Sequence, residues 1–254
     1  MNIITHPSVY LVGKQIIDQA EMGRFLDAHD VPKWSTDAPS HSEELVETAG
    51  RLCYMSFAKP RPGGNKAYIE HILEVGHGSV LEHAVYSMIF TGVSRSLTHE
   101  LVRHRAGMSY SQLSQRYVDE SDCDFVLPPR IKEDEMDGSD WWSAVTDSAF
   151  QYKKLADTLY AVRFSDITDS TLRRKKSREA ARSVLPNCTE TKIFVTGNAR
   201  AWRHFLELRG SIHADAEIQR LAISVLDVLQ AESPNLFGDY TVSDQGIETI
   251  WRKV

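Results

Sequence analysis

The amino-acid sequence predicts an α/β (α+β) protein in which a few short strands are separated by many longer helices. Short β-rich stretches occur at residues 8–12, 83–91 and 189–196, whereas apolar residues recur at intervals of three and four over much longer stretches. Gly76 and Gly78 form a Gly-x-Gly, but no further glycine completes a dinucleotide-binding fingerprint. The sequence therefore does not predict a Rossmann fold.

The N-terminal third predicts one strand, three helices and a loop. Residues 8–12 lie between Pro7 and Gly13, which suits a short strand. Ser42 is the predicted N-cap of the second helix, and the proline- and glycine-rich residues 59–65 predict a loop. The three predicted helices span residues 16–28, 44–52 and 67–75, and Asp30, Pro32 and Pro39 break the first of them.

A further helix is predicted from Ser94 or Ser96, either of which can cap it, to about residue 105. Glu100 and Arg103 share its polar side, and two interpretations stay open. The pair is either a surface ion pair, worth about 0.2–0.5 kcal/mol, or part of a face that meets a ligand. The other predicted elements are strands at residues 125–128 and 189–196 and helices at residues 139–163, 166–184, 199–209 and 215–232.

Length and charge limit the class of protein. A chain of 254 residues can form one large domain or two small ones, and no repeat or linker interrupts it, so a single domain over residues 1–254 is predicted. The net charge of −6 argues against a nucleic-acid partner, because such binding depends on excess positive charge. The four cations of residues 173–176 therefore predict a solvated helix face.

Cysteine usage and hydropathy predict the compartment. Cys53, Cys123 and Cys188 are far apart and form no Cys-x-x-Cys, which predicts a reduced cytoplasmic protein with no disulfide framework. No His, Cys or Glu spacing resembles a metal site, so no metal is predicted. No stretch approaches eighteen apolar residues and no signal peptide is recognisable, so a soluble protein with no membrane partner is predicted.

Residues 103–117 carry the strongest functional signal. Three arginines, one histidine, three serines, two glutamines and two tyrosines fall within these fifteen positions. Composition alone favours a solvated polar loop. The same groups donate hydrogen bonds to anions and stack on rings, so the segment is also suited to hold a phosphorylated aromatic molecule.

Arg209 is a second candidate. On a helix it shares one face with Trp202, Phe205 and Leu206, so a guanidinium continues an apolar stripe. A buried cation needs an anionic partner, since an unpaired one costs several kcal/mol. That partner is either an Asp or Glu of the chain or an anionic ligand.

The order of these residues resembles the signature of the flavin-dependent thymidylate synthases, in which Arg-His-Arg is followed seven or eight residues later by serine. Here the spacing is the longer one, from Arg103-His104-Arg105 to Ser114 and Arg116-Tyr117. The resemblance covers roughly residues 49–220. Three more blocks follow the same order: Gly76 to Ser79 with Glu82-His83, Arg182 to Pro186, and Asn198 to Arg200 with Arg209 and His213.

The resemblance implies a fold and a reaction. The fold would be a small, mostly antiparallel sheet flanked by helices, of the thymidylate synthase-complementing type. The reaction would methylate dUMP to dTMP with carbon from 5,10-methylenetetrahydrofolate and hydride from FADH2, which NADPH regenerates. The family is a homotetramer whose sites combine residues from different subunits.

The resemblance also implies site residues. Arg209 would be catalytic, because a fixed cation beside the uracil stabilises negative charge in the ring. The FAD contacts would be Ser79, Arg103, His104, Arg105, Gln112, Asn198, Arg200 and His204. The dUMP contacts would be Glu100, Arg103, Gln112, Ser114, Gln115, Arg116, Arg182 and Arg209. His77 and Tyr117 would face folate.

Two features limit this assignment. Ser114 is an apparent nucleophile, but the sequence shows no base and orienting group to activate it, so a role in holding dUMP is predicted instead. The chain also departs from the family pattern, with Ala106-Gly107-Met108 where shorter members have two residues, His204 where some have asparagine, and Glu100 where some have glutamine. The rival interpretations are a non-catalytic nucleotide-binding protein and an RNA-binding module.

Overall fold

The computed structural model describes residues 1–31, 33–59, 61–132 and 134–254. Within them the strands are β1 Ile3–Ile4, β2 Ser8–Lys14, β3 Val85–Ser94, β4 Met108–Gln112, β5 Phe125–Val126, β6 Glu190–Asn198, β7 Thr241–Ser243 and β8 Gly246–Glu248. The helices are α1 Gln19–Ala28, α2 His41–Leu52, α3 Gly64–Glu74, α4 Arg95–Leu101, α5 Met136–Thr158, α6 Ser170–Ala181, α7 Ala199–Arg209, α8 Ala216–Glu232 and α9 Pro234–Phe237. Short helical segments of other types lie at Gly78–His83, Leu159–Arg163 and Arg182–Val184. The predicted break at Pro32 and one residue of the predicted 59–65 loop, Pro60, lie outside the described residues.

The predicted fold class is confirmed. Four strands form one sheet in the order β2-β3-β6-β4, which is antiparallel and flanked by helices. Two smaller pairs accompany it. Strands β1 and β5 pair in parallel with Ile3 opposite Phe125, and β7 and β8 form an antiparallel hairpin with Thr241 opposite Glu248.

The chain divides into two compact units. The first contains residues 1–8, 90–102 and 111–193, and the second contains residues 9–89, 103–110 and 194–254. The boundaries fall inside β2, β3, β4 and β6 and after residue 102, so each unit is assembled from several separate stretches of chain. The single domain over residues 1–254 stays a prediction.

The core of the second unit lies under α7 and α8. The apolar stripe predicted for α7 is confirmed, because Trp202, Phe205 and Leu206 are fully buried. The predicted amphipathic face of α8 is buried as well, and it consists of Ile218, Leu221, Ala222, Val225, Leu226 and Leu229. Burial of this apolar area, at about 25 cal/mol per Å², fixes the helix that carries Arg209.

Several helix boundaries differ from the prediction for identifiable reasons. The N-cap of α2 is Ser40, not Ser42, because Ser40 and Glu43 form a reciprocal capping box. Helix α3 begins at Gly64, inside the predicted loop, where Asp37 accepts a hydrogen bond from the Asn65 amide at 2.7 Å. Helix α6 begins at Ser170 rather than 166, because the Asp169 carboxylate caps it.

Around the 103–117 segment the structure corrects two predictions. Ser94 is the cap of α4, and this helix ends at Leu101 instead of about residue 105. Residues 108–112, which composition presents as polar loop, form β4. The reason is that only Met108 of this strand is buried, so its serines and glutamine hide the alternation that identifies a strand.

Candidate functional site

A cavity of about 410 Å³ in the second unit contains four of the eight predicted flavin contacts. We name it the α7 cavity. None of the described residues that line it is an Asp or Glu, so the lining is cationic. It is lined by Arg103, His104, Arg105, Ala106, Ala201, His204, Leu208 and Arg209.

A tight turn brings the Arg-His-Arg motif to this cavity. Gly107 has a positive φ of 69°, and an added Cβ would lie 2.7 Å from the side chain of Asn198. The backbone N–H of Asn198 donates to the Gly107 carbonyl at 3.1 Å. The side-chain oxygen of Asn198 caps α7 by accepting from the backbone N–H of Ala201 at 2.8 Å. The longer Ala106-Gly107-Met108 spacing is therefore accommodated by a glycine turn against the start of α7.

His104 is the most buried polar residue of the α7 cavity. Its side chain is buried, and its ring packs edgewise on Phe205 with centroids 5.6 Å apart. The Arg209 Nε donates a hydrogen bond to His104 Nε2 at 2.9 Å. Burial, then Arg209 and then His204 lower the pKa of His104 from its ordinary 6.5 to about 4, so the ring is neutral at neutral pH.

Arg209 ends α7 at the mouth of the same cavity. It continues the stripe of Trp202, Phe205 and Leu206, as the sequence predicts, and one of its partners is the neutral imidazole of His104. With three arginines and no Asp or Glu among its described lining residues, the cavity is suited to receive an anion or a ring that becomes negative.

A second cavity of about 530 Å³ lies within the first unit. We name it the α4 cavity. It contains two of the predicted dUMP contacts, Gln115 and Arg182, together with residues that sequence reasoning did not select. Its lining consists of Arg95, His99, Gln115, Glu179, Arg182, Ser183, Leu185, Pro186 and Asn187.

Two guanidinium groups repel each other in the α4 cavity. Burial lowers the pKa of Arg95, the Glu120 carboxylate opposes that shift, and the charge of Arg182 lowers the pKa further. The only acid among the described lining residues, Glu179, is paired with Arg116 at 2.7 Å. A phosphate placed between Arg95 and Arg182 would relieve their repulsion.

The other predicted flavin contacts lie near the start of α7, in the second unit. Arg200 pairs with Glu82 at 2.7 Å, and both side chains are about half exposed. An added Cβ on Gly78 would come within 2.9 Å of the Arg200 guanidinium. Ser79, the next residue, is exposed. These groups accompany Asn198, but the α7 cavity lining does not include them.

The remaining predicted residues lie outside both linings. Gln112 donates to the Thr98 hydroxyl at 2.9 Å, and Ser114 Oγ accepts from the Arg116 amide at 3.4 Å. Tyr117 is exposed, with the Lys175 ammonium 4.7 Å from its ring centre. His77 is exposed as well, and Glu100 is half-buried on α4.

Sequence reasoning missed Arg95, and it placed His99 on the polar, ligand-facing side of the predicted helix without assigning it a contact. They lie four positions apart on α4, so they share a helix face that points into the α4 cavity. The available signal was a cation directly after the Ser94 cap. In the sequence, Arg95 could not be told apart from a solvent-exposed arginine in the first turn of a helix.

In the part of the chain that the structure describes, no group of three or more His, Cys, Asp or Glu side chains could hold a metal ion. No helix of that part is long and apolar enough to cross a membrane. A third cavity, of about 650 Å³, contains none of the predicted residues, and its lining includes Lys66, Glu70, Asp239, Glu248 and Trp251.

An α/β chain with two arginine-lined cavities is equipped to bind small anionic molecules. The family model described as thymidylate synthase complementing protein matches residues 36–235, which is most of the chain. The chain belongs to the family of flavin-dependent thymidylate synthases.

Similar proteins agree with this membership. The flavin-dependent thymidylate synthase of Mycolicibacterium gilvum is 54% identical over 214 residues, or 83% of this chain and 84% of the relative. That of Mycobacterium marinum is 51% identical over 231 residues, or 90% of each chain. The solved structure of PolB, a UMP/dUMP methylase from Streptomyces cacaoi bound with 5-Br dUMP, has a TM-score of 0.62 and 22% identity and covers 94% of this chain and 96% of its own. At that identity the likeness concerns the fold.

Proposed function

We propose that this protein methylates dUMP to dTMP, with the carbon taken from 5,10-methylenetetrahydrofolate and the hydride from FADH2, which NADPH regenerates. The observation that carries the proposal is the α7 cavity, where three arginines meet a neutral histidine and no described lining residue is acidic. Family membership supports the same reaction. The cytoplasm is the proposed compartment, supported by three free cysteines.

The donor set of the α7 cavity fits FAD. Arg103 and Arg105 offer planar guanidinium donors for a diphosphate, and His204 adds a ring at the rim. Ser79, Asn198 and Arg200 are proposed as further contacts near the start of α7, and Gln112 as a more distant one. When bound, the flavin supplies hydride chemistry, while the protein contributes binding and orientation.

The α4 cavity fits the phosphate of dUMP. Arg95 and Arg182 repel each other, and a dianionic phosphate would neutralise both. Gln115, which is buried in the same lining, can donate an amide hydrogen bond. Ser114 and Arg116 follow on the same segment and are proposed to contact dUMP with Glu100 and Gln112.

Arg209 is the proposed catalytic residue. Hydride added at C6 of the uracil ring would give an enolate whose C5 can attack a one-carbon electrophile, and a fixed cation stabilises the enolate charge. One unit charge at about 4 Å, with an effective dielectric of about 20, is worth about 4 kcal/mol. Neither a serine nucleophile nor a metal is needed for that contribution.

Two parts of the proposal rest on family membership alone. His77 and Tyr117, both exposed in this chain, are the proposed folate contacts. A homotetramer is the proposed assembly, in which different copies complete each other's sites. No nucleic acid is proposed as a partner, consistent with the net charge of −6.

Two measurements on the purified protein test the proposal: its flavin absorbance and its release of tritium from labelled dUMP. We expect a flavin absorbance spectrum that NADPH bleaches, and release of tritium from dUMP labelled at C5 only when methylenetetrahydrofolate is present. A protein that binds dUMP but neither takes up FAD nor releases tritium would be the non-catalytic nucleotide-binding protein. Failure to bind either ligand would reject both functions.

A further inference from the structure

The hydrogen bond between Arg209 and His104 fixes a protonation state. A guanidinium nitrogen can only donate, so the His104 Nε2, 2.9 Å from Arg209 Nε, must accept. An imidazole that accepts at Nε2 carries its proton on Nδ1 and is neutral. The geometry therefore defines one tautomer of His104.

The imidazole is held on several sides. Its ring meets Phe205 and His204 edgewise, at centroid distances of 5.6 Å and 5.8 Å. The Tyr110 hydroxyl donates to the His104 carbonyl at 2.6 Å, which fixes the backbone of the same residue. Only 9% of His104 is exposed. The acceptor atom offered to Arg209 is thus part of a rigid support rather than a mobile surface group.

The charges around His104 keep this acceptor available. Protonation would place a fourth positive charge beside the guanidinium groups of Arg103, Arg105 and Arg209 in one cavity. Burial opposes it as well, and the pKa lies at about 4. The imidazole remains an acceptor throughout the physiological pH range.

We propose that His104 is a positioning residue for Arg209, holding the Nε edge of the guanidinium so that the cation keeps one orientation in the α7 cavity. The inference rests on the proposed function of Arg209 and goes beyond it, because it assigns His104 a second role besides flavin contact. Fixing a long arginine side chain costs rotamer entropy. Because His104 already fixes Arg209 in the folded protein, this entropy is lost on folding and not during the reaction.

Two substitutions separate the acceptor from the ring. His104→Phe keeps an aromatic ring against Phe205 but removes the acceptor, whereas His104→Gln keeps an acceptor oxygen at a similar reach. We expect His104→Phe to lower kcat at saturating dUMP about 10- to 150-fold, the range for a lost hydrogen bond to a charged group. His104→Gln should recover most of that loss, with flavin content measured by absorbance in each variant.

A double-mutant comparison tests whether His104 acts through Arg209. In an Arg209→Lys background no guanidinium Nε remains, so His104→Phe should change kcat at saturating dUMP by less than twofold, against a clearly larger change in the wild-type background. Equal effects in both backgrounds would overturn the inference, as would a glutamine variant no better than phenylalanine.

The tautomer gives a test that does not depend on catalysis. Nitrogen chemical shifts of histidine-labelled wild-type protein should show the His104 proton on Nδ1, and a proton on Nε2 would exclude the hydrogen bond. If wild-type protein releases no tritium yet shows the expected tautomer, the proposed function has failed and the contact stands. If it releases tritium but His104→Phe matches it in kcat, the positioning role alone has failed.

Discussion

The two cavities handle positive charge in different ways. In the α7 cavity the cations surround a neutral histidine, and no described lining residue is acidic. In the α4 cavity Arg95 and Arg182 repel each other while Glu179 is occupied by Arg116. The first arrangement has an internal neutral acceptor that orients one arginine; the second has two arginines whose repulsion an incoming anion relieves.

Arginine therefore has a different role in each of the two cavities. An arginine with a fixed orientation can stabilise charge that develops on a ring, because its position does not depend on the ligand. Arginines held close against their mutual repulsion favour a ligand that is already charged, such as a phosphate. We therefore expect substitutions in the α7 cavity to affect turnover and substitutions in the α4 cavity to affect affinity.

The largest effect is expected at Arg209. Arg209→Ala should reduce turnover by about a thousandfold, corresponding to about 4 kcal/mol of lost charge stabilisation, while flavin remains bound. Tritium release from C5-labelled dUMP and flavin absorbance measure the two properties. Arg209→Lys keeps the charge without the planar donors, so its turnover should lie between that of the wild type and that of Arg209→Ala. Loss of flavin with dUMP affinity intact would place Arg209 at the other ligand.

A smaller effect is expected in the α4 cavity. Arg95→Ala or Arg182→Ala should weaken dUMP binding about 10- to 150-fold, the range for a lost hydrogen bond to a charged group. Isothermal titration calorimetry measures the dissociation constants of dUMP and of deoxyuridine, which lacks the phosphate, for each variant. The matched control is Arg174→Ala, an exposed arginine whose contact is Ser170. If deoxyuridine binding falls as much as dUMP binding, the α4 cavity is not the phosphate site.

The smallest effect is a pH dependence of stability that arises from His104. Its pKa is 6.5 when unfolded and about 4 when folded, so between these values the unfolded chain binds the extra proton. The contribution of His104 to the free energy of unfolding is therefore full above about pH 6.5 and declines as the pH falls toward 4. Denaturant unfolding of wild type and of His104→Gln, which cannot titrate, should diverge in that window. Parallel curves would mean that the imidazole titrates normally.

The sequence identified more of the α7 cavity than of the α4 cavity. Arg103, His104 and Arg105 are adjacent in the chain, and Arg209 ends a periodic helix, so both features were visible as patterns. Arg95 was not predicted, since a single cation after a cap has many ordinary roles. Strand β4 was missed because serines and a glutamine occupy most of its positions.

Residues assigned by resemblance show the same limit. The sequence selected His104 and His204 as flavin contacts, and the structure does place both in the α7 cavity. It could not show that His104 also accepts from Arg209, because those residues are 105 positions apart. Gln112 and Ser114, selected in the same way, form hydrogen bonds with other residues of the chain and lie outside both linings.

The sequence by itself determined the fold class, the family and the chemical types of the site residues, because periodicity, caps and ordered motifs are local properties of the chain. The tertiary structure alone decided which arginines share a cavity, which carboxylate is already paired, and which ring nitrogen of His104 carries the proton. Those outcomes depend on distances between segments far apart in sequence and on the burial that shifts a pKa. Neither quantity is encoded in residue order.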